Sequence, residues 1–271
     1  MADNVVANII KGFSSRFRKK RKANVYGISW LHMRYLKNLP ETSYNQIRFL
    51  GNTLTVFGRT GFLHALKEVF FEEIYKIDLP AKPYIIDCGA HIGLSVIYFK
   101  HHYPDAEILA FEPDEQNFEL LQKNVKSFGY QGVVLKKEAV WHQDGNIAFS
   151  NEGSMASKIV EQGSYKIPAS RLRSHLTKKV DLLKVDIEGA EYLVLKDISD
   201  VLHLVSNLFL EYHGNFNQNN ELADIFAIIQ KNGFSFYIKE AAPVYEHPFV
   251  HFRETRRHEY DVQLNIFCFR Q

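Results

Sequence analysis

The stretch YIIDCGAHIGLSVIYF, Tyr84–Phe99, decides how the rest of the chain is read. Tyr84 to Asp87 are apolar up to a final acid, as in a buried strand that ends at a cleft. Gly89 and Gly93 follow, and LSVIYFKHHY (94–103) reads as a helix. Strand, glycine turn and helix begin a βαβ unit, whose ligands bind beyond the carboxyl ends of the strands. Gly89 permits the tight turn. Gly93 permits close approach of helix and strand, or of backbone and ligand. The plainer alternative is an ordinary strand-to-helix turn with Asp87 as its cap.

The same alternation runs outward from this stretch. EILAFEP (107–113) is the next strand and DEQNFELLQKNVKSFG (114–129) a helix with Phe118, Leu121 and Val125 on one side. GVVLKKEAV (132–140) is a third strand. Residues 144–178 read as irregular, with GNIAFS (145–150) a short strand. VDLLKVDIE (180–188) and NLFLEYH (207–213) are the fourth and fifth strands, each followed by a helical pattern. FSFYIKEA (234–241) and YDVQLNIFCFR (260–270) close the chain with no helix pattern between them, so they are expected to pair antiparallel. The class is α/β, with a mostly parallel sheet.

Residues 1–80 form an N-terminal extension and 81–271 the main domain, the break being marked by Pro80 and Pro83. NQIRFLGNTLTVFG (45–58) alternates around Gly51-Asn52 as a hairpin does. TGFLHALKEVFFEEIYKIDL (60–79) follows as a helical segment with Leu63, Leu66, Val69, Phe70 and Ile74 inward. In residues 1–22, Val5, Val6, Ile9, Ile10, Phe13 and Phe17 share a helical face that ends in a basic run. This segment is read as a helix docked on the main domain; peripheral contact with an anionic membrane at its inner face is the alternative.

The chain has 271 residues, 46% of them hydrophobic, and a formal net charge of +2. A nearly balanced charge gives no case for a nucleic-acid partner. Two Cys without metal-like spacing argue for a reducing compartment, so a cytoplasmic location is expected. No run approaches the ~18 apolar residues of a membrane span, and the N-terminus has no secretory pattern.

Glu112 ends the second strand, and a carboxylate there suits the two hydroxyls of a ribose. A dinucleotide turn reads G-x-G-x-x-G around a pyrophosphate. Here an acid, Asp87, stands two residues before Gly89; it would repel a phosphate and attract an ammonium group. S-adenosylmethionine has such an ammonium and no phosphate. Glu138, at the end of the third strand, is placed to accept from an adenine amino group, with Ala139 and Val140 beside the ring.

LLKVDIEGAE (182–191) is the most unusual segment. Leu183, Val185 and Ile187 keep one strand face apolar, while Lys184, Asp186 and Glu188 alternate onto the other. Glu191 falls in the first turn of the next helix, where the helix dipole favours an acid. In LFLEYH (208–213), Glu211 and His213 share a face. Adjacent fourth and fifth strands would bring Asp186, Glu188, Glu211 and His213 to one rim. His213 could then take a proton from a hydroxyl, with Glu211 or Asp186 orienting it. Self-neutralisation around Lys184 is the plainer alternative. An Asp/Glu/His set also suits a divalent metal, but the spacing is not diagnostic and a metal-free site is expected.

IIDCGAHIGLS, AFEPD, KKEAV and above all LLKVDIEGAE, followed by LFLEYH, resemble the FkbM family of S-adenosylmethionine-dependent methyltransferases. The resemblance spans about Tyr84 to Ala241. It implies a seven-stranded Rossmann-like sheet with an antiparallel last strand. It implies O-methylation of a saccharide, glycoconjugate or secondary metabolite. The cofactor would meet Asp87, Gly89, Ala90, His91 and Gly93 in the glycine turn, then Glu112 and Pro113, then Glu138, Ala139 and Asp186. Catalysis would fall to His213, Glu211, Asp186, Glu188 and Lys184. His91 stands where the family usually has Asn, and residues 1–80 are expected to form a substrate lid. The competing functions are a nicotinamide-dependent oxidoreductase, disfavoured by Asp87 and the missing third glycine, and a non-catalytic adenosyl-binding module, disfavoured by the carboxylate rim.

Overall fold

The computed structural model describes residues 26, 28, 30–150, 158–159, 165–251 and 259–270. The basic amphipathic segment expected over 1–22 lies outside them. The chain forms two compact units: Met1–Asp78 with Ile92–His101 and Glu119–Tyr130, and Leu79–His91 with His102–Phe118 and Gln131–Gln271. The change of unit at Asp78/Leu79 falls beside Pro80, but no single cut in the sequence separates the two.

In the first unit, α1 (Trp30–Leu36) precedes the hairpin of β1 (Tyr44–Phe49) and β2 (Asn52–Phe57). Phe49 faces Asn52, so the turn is Leu50-Gly51 and not Gly51-Asn52. Both turn residues have positive φ, 50° and 81°, the type I′ geometry that matches strand twist. The next helix is shorter than its apolar pattern. α2 (Thr60–Leu66) runs into a π-helical turn, Lys67–Phe71, and ends there. The wider turn rotates the buried face, so Phe62, Leu66, Val69 and Phe70 go inside while Leu63 and Ile74 are only half-buried. Phe70 takes Tyr26, Phe49 and Tyr98 edge-on at 5.1, 4.8 and 5.6 Å. α3 (Leu94–His102), up to His101, and α4 (Glu115–Phe128), from Glu119 on, also belong to this unit. A Cβ on Gly93 would lie 2.8 Å from Leu121 Cδ1, so Gly93 serves the approach of α3 to α4. Buried Asn124 accepts from the Thr55 amide at 2.7 Å and donates to the Thr55 and Ile92 carbonyls.

The second unit holds β3 (Tyr84–Cys88), β4 (Glu107–Phe111) and β5 (Val133–Lys136). Four short strands follow: β6 (Ala139–Trp141), β7 (Gly145–Ser150), β8 (Lys158–Ile159) and β9 (Tyr165–Arg171). β10 (Leu182–Val185), α5 (Glu191–Asp197), β11 (Asn207–Gly214), α6 (Asn219–Lys231), β12 (Ser235–Glu240) and β13 (Val262–Phe269) complete it. The main sheet has seven strands in the order β12-β13-β11-β10-β3-β4-β5. β13 runs antiparallel to both neighbours, β11 and β12; the other pairs are parallel. This is the Rossmann-like methyltransferase arrangement expected. Strands buried on both faces explain the apolar runs: Ile86, Leu183, Val185, Leu208 and Leu210 lie in one continuous core with Val194 and Ile225 of the helices.

The described residues of 144–178 hold strands where irregular chain was expected. β6, β9, β7 and β8 form a second, four-stranded sheet, in which β9 pairs parallel with β6 and antiparallel with β7. The expected third strand over 132–140 is therefore two strands in two sheets, and Glu138 lies in the step between them.

Candidate active site

The carboxyl ends of β4, β3, β10 and β11 lie side by side in the second unit. The turn after β3 is held from below. The amides of Gly89 and Ala90 donate to the Phe111 carbonyl at 3.1 and 2.8 Å. Gly89 has φ 88°, and a Cβ there would stand 1.8 Å from the Asp186 carbonyl oxygen. Only glycine fits, because another backbone occupies the side-chain position. His91 is left-handed at φ 48°. Its amide donates to Glu112 Oε2 at 2.8 Å, and the Asp114 amide donates to Glu112 Oε1 at 3.0 Å. When ionised, each Glu112 oxygen keeps a second lone pair for a ligand hydroxyl. Burial pushes the Glu112 carboxyl up to about 8, against the downward pull of those two amides. Burial also lowers the His91 imidazole, which therefore stays neutral near pH 7. Ala90 is buried in the turn and Pro113 half-buried beside Glu112. Gly93 belongs to the first unit.

Lys184 is not a rim group. It is almost fully buried, and its Nζ donates to the Gly89 carbonyl at 2.8 Å. The same ammonium lies 3.1 Å from Asp87 Oδ1 and 3.3 Å from Asp186 Oδ2. Asp87 is itself fully buried. The charge expected to attract a ligand ammonium is thus already matched by Lys184, and the pair ties β3 to β10. Self-neutralisation, the plainer reading, describes these three residues.

β10 ends at Val185, so Glu188 lies in a turn and not on a strand face. Glu188 and Gly189 have φ 57° and 96°. Their turn wraps the carboxylate of Glu191, which is fully buried. Glu191 Oε1 accepts from the Ile187 amide at 3.1 Å and the Gly189 amide at 3.0 Å; Oε2 also accepts from Gly189. Oε1 further meets His213 Nδ1 at 3.1 Å. The other ring nitrogen, Nε2, faces Glu211 Oε1 at 3.6 Å and Glu188 Oε2 at 3.7 Å. Asp186, Glu211 and His213 each bring a ligand-type atom to within 4.8 Å of the other two. The rim of Asp186, Glu188, Glu211 and His213 is therefore assembled as expected.

Its electrostatics differ from a resting base. Burial lowers the His213 imidazole, but Glu191, then Glu188 and Asp186, outweigh burial and raise it to about 10. An imidazole that holds its second proton must lose it before accepting another. Burial is also the main cause that raises Glu188 to about 7, partly offset by His213. Two contributors escaped the sequence. Glu191 looked like a helix-dipole acid, yet it organises the turn and His213. Tyr260 packs against His213 with ring centroids 4.9 Å apart and the rings tilted at 52°, and it donates to the Glu188 carbonyl at 2.9 Å; nothing in its local sequence signals this.

Glu138 pairs with Lys136 at 3.4 Å. Lys136 in turn lies 5.9 Å from the ring centre of Phe111, which His175 meets edge-on at 5.1 Å. Ala139 is buried in β6.

Residues 87–236 match the model of the methyltransferase FkbM domain. Methyltransferase 1 of Beauveria bassiana is 26% identical over 209 residues, covering 66% of this chain and 82% of that protein. Methyltransferase sdnD of Sordaria araneosa is 29% identical over 210 residues, covering 62% and 80%. A crystal structure of the methyltransferase FkbM from Methylobacillus flagellatus KT superimposes with a TM-score of 0.51 at 14% identity. That match covers 75% of this chain and 47% of the other, so it speaks to the shared fold.

Proposed function

The chain belongs to the FkbM methyltransferase family, and we propose that it transfers the methyl group of S-adenosylmethionine to a hydroxyl of a saccharide, glycoconjugate or secondary metabolite. The observation that carries this reading is the juxtaposition, on four neighbouring parallel strands, of a buried carboxylate at a glycine turn and a carboxylate–imidazole rim. The fit to the cofactor rests on the donor set. Glu112 has lone pairs left for two ribose hydroxyls. Gly89 and Ala90 offer backbone without bulk. When bound, S-adenosylmethionine supplies a methyl group already activated by its sulfonium.

The remaining work falls to the protein. The glycine turn and Glu112 fix the donor. The rim receives the acceptor hydroxyl and takes up its proton as the oxygen–carbon bond forms. Glu191 and Tyr260 hold His213 and the Glu188 turn in place.

The test incubates the full chain with methyl-labelled S-adenosylmethionine and a panel of glycans and hydroxylated metabolites. Label in a methyl ether is the expected result. Label found only on nitrogen or carbon overturns O-methylation, and failure of the labelled donor to bind overturns the cofactor.

A further inference from the structure

We propose that Asp186, Glu211 and His213 form a binding site for one divalent transition-metal ion. Two observations carry this independently. The first is the donor set. Three ligand-type atoms from two neighbouring strand ends lie within 4.8 Å of one another, and none of the three residues is exposed. Nε2 of His213 stands 3.6 Å from Glu211 Oε1, too far for a hydrogen bond, with Glu188, outside the donor set, at 3.7 Å. Donors bound at about 2.1 Å to one ion stand about 3.0–3.4 Å apart, so a small inward movement completes the geometry.

The second is the support behind His213. Its side chain is nearly fully buried, and Nδ1 meets Glu191, a carboxylate outside the donor set that can only accept. Once Nε2 gives up its proton, the ring is thereby held with the Nε2 lone pair facing Glu211. A carboxylate behind an imidazole is the usual support of a metal-bound histidine. Glu191 is itself anchored by the Ile187 and Gly189 amides, so the ring meets a fixed carboxylate.

The donor chemistry selects the ion. Two carboxylates and an imidazole suit Mn²⁺, Fe²⁺, Co²⁺ or Zn²⁺ better than Mg²⁺ or Ca²⁺, which take oxygen alone. Binding exchanges the Nε2 proton for the ion and releases that proton to solvent. Three protein ligands leave positions open for water or an acceptor hydroxyl. A coordinated hydroxyl loses its proton more readily, so the ion would supply the activation that the metal-free expectation assigned to His213 as base. This last role rests on the methyl-transfer reading; ion binding does not.

The experiment titrates Mn²⁺ alone into chelator-treated full chain, read by electron paramagnetic resonance of the free ion, without cofactor or acceptor. One site per chain is expected. Glu211→Gln and His213→Gln should each weaken it at least tenfold, and Glu191→Gln by about 10- to 100-fold. Glu119→Gln, at an exposed position on α4, should leave it unchanged. Thermal unfolding of each variant confirms that it is folded, and Asp186→Asn replaces any that is not. Absence of a stoichiometric site in the wild-type chain overturns the proposal, as does equal affinity in folded ligand variants. A failed methyl-transfer assay with intact Mn²⁺ binding would instead sink the acceptor reading alone.

Discussion

The turn after β3 and the turn after β10 are built from the same parts. Each follows a buried parallel strand, carries a non-glycine residue in left-handed conformation (His91, Glu188), and contains a glycine of positive φ. Each closes around a buried carboxylate that collects loop amides: Glu112 from His91 and Asp114, Glu191 from Ile187 and Gly189. The difference lies in what else the carboxylate meets. Glu112 meets amides alone, and burial leaves it raised to about 8. Glu191 also meets an imidazole and sits behind a rim of further carboxylates. The same scaffold therefore makes one turn suited to hydroxyl groups and another suited to a cation or a moving proton.

The largest expected effect breaks the point where the two turns touch. In Gly89→Ala the new methyl overlaps the Asp186 carbonyl and the backbone stays at φ 88°. Left-handed strain and overpacking together should cost about 4 kcal/mol in urea unfolding. Gly233→Ala, at the end of α6 with φ 73° and only the Arg270 side chain at 3.5 Å, should cost about 1 kcal/mol. Equal losses would show that the contact between the turns is slack.

A smaller effect concerns pH. Glu112 is neutral in the empty protein below about 8, and an ionised carboxylate is the better acceptor for two hydroxyls. Binding of the product nucleoside S-adenosylhomocysteine should therefore strengthen as pH rises from 6 to 8, by at most about tenfold per pH unit. Glu112→Gln should flatten that slope. A wild-type slope of zero would mean that Glu112 is ionised throughout or does not touch the ligand.

Much of the frame was open to reading because parallel strands buried on both faces must be continuously apolar. Ile85–Ile86, Ile108–Leu109 and Leu208–Leu210 show this plainly. The second sheet was hidden. β9 reads YKIPASR, where Pro168 and small residues imitate a turn, and only Ile167 and Ala169 alternate inward with exposed Lys166 and Pro168. At the site, the four rim residues were found because charges at a strand end break the apolar rule. Lys184 broke the same rule for another reason, as a buried tie between Asp87 and Asp186. Glu191 was misread because an acid in the first turn of a helix already has an ordinary explanation. Tyr260 reaches His213 from the far end of the chain, a placement that only the β11–β13 pairing creates.

If the two turns divide the labour, calorimetry separates them. S-adenosylhomocysteine is titrated into the wild-type chain, Glu112→Ala and His213→Ala. A loss of about 1.5–3 kcal/mol is expected for Glu112→Ala, roughly ten- to a hundredfold in Kd, from a missing charge-assisted hydrogen bond. A nearly unchanged Kd is expected for His213→Ala. Unchanged affinity in folded Glu112→Ala, or an equal loss in both variants, would overturn this division.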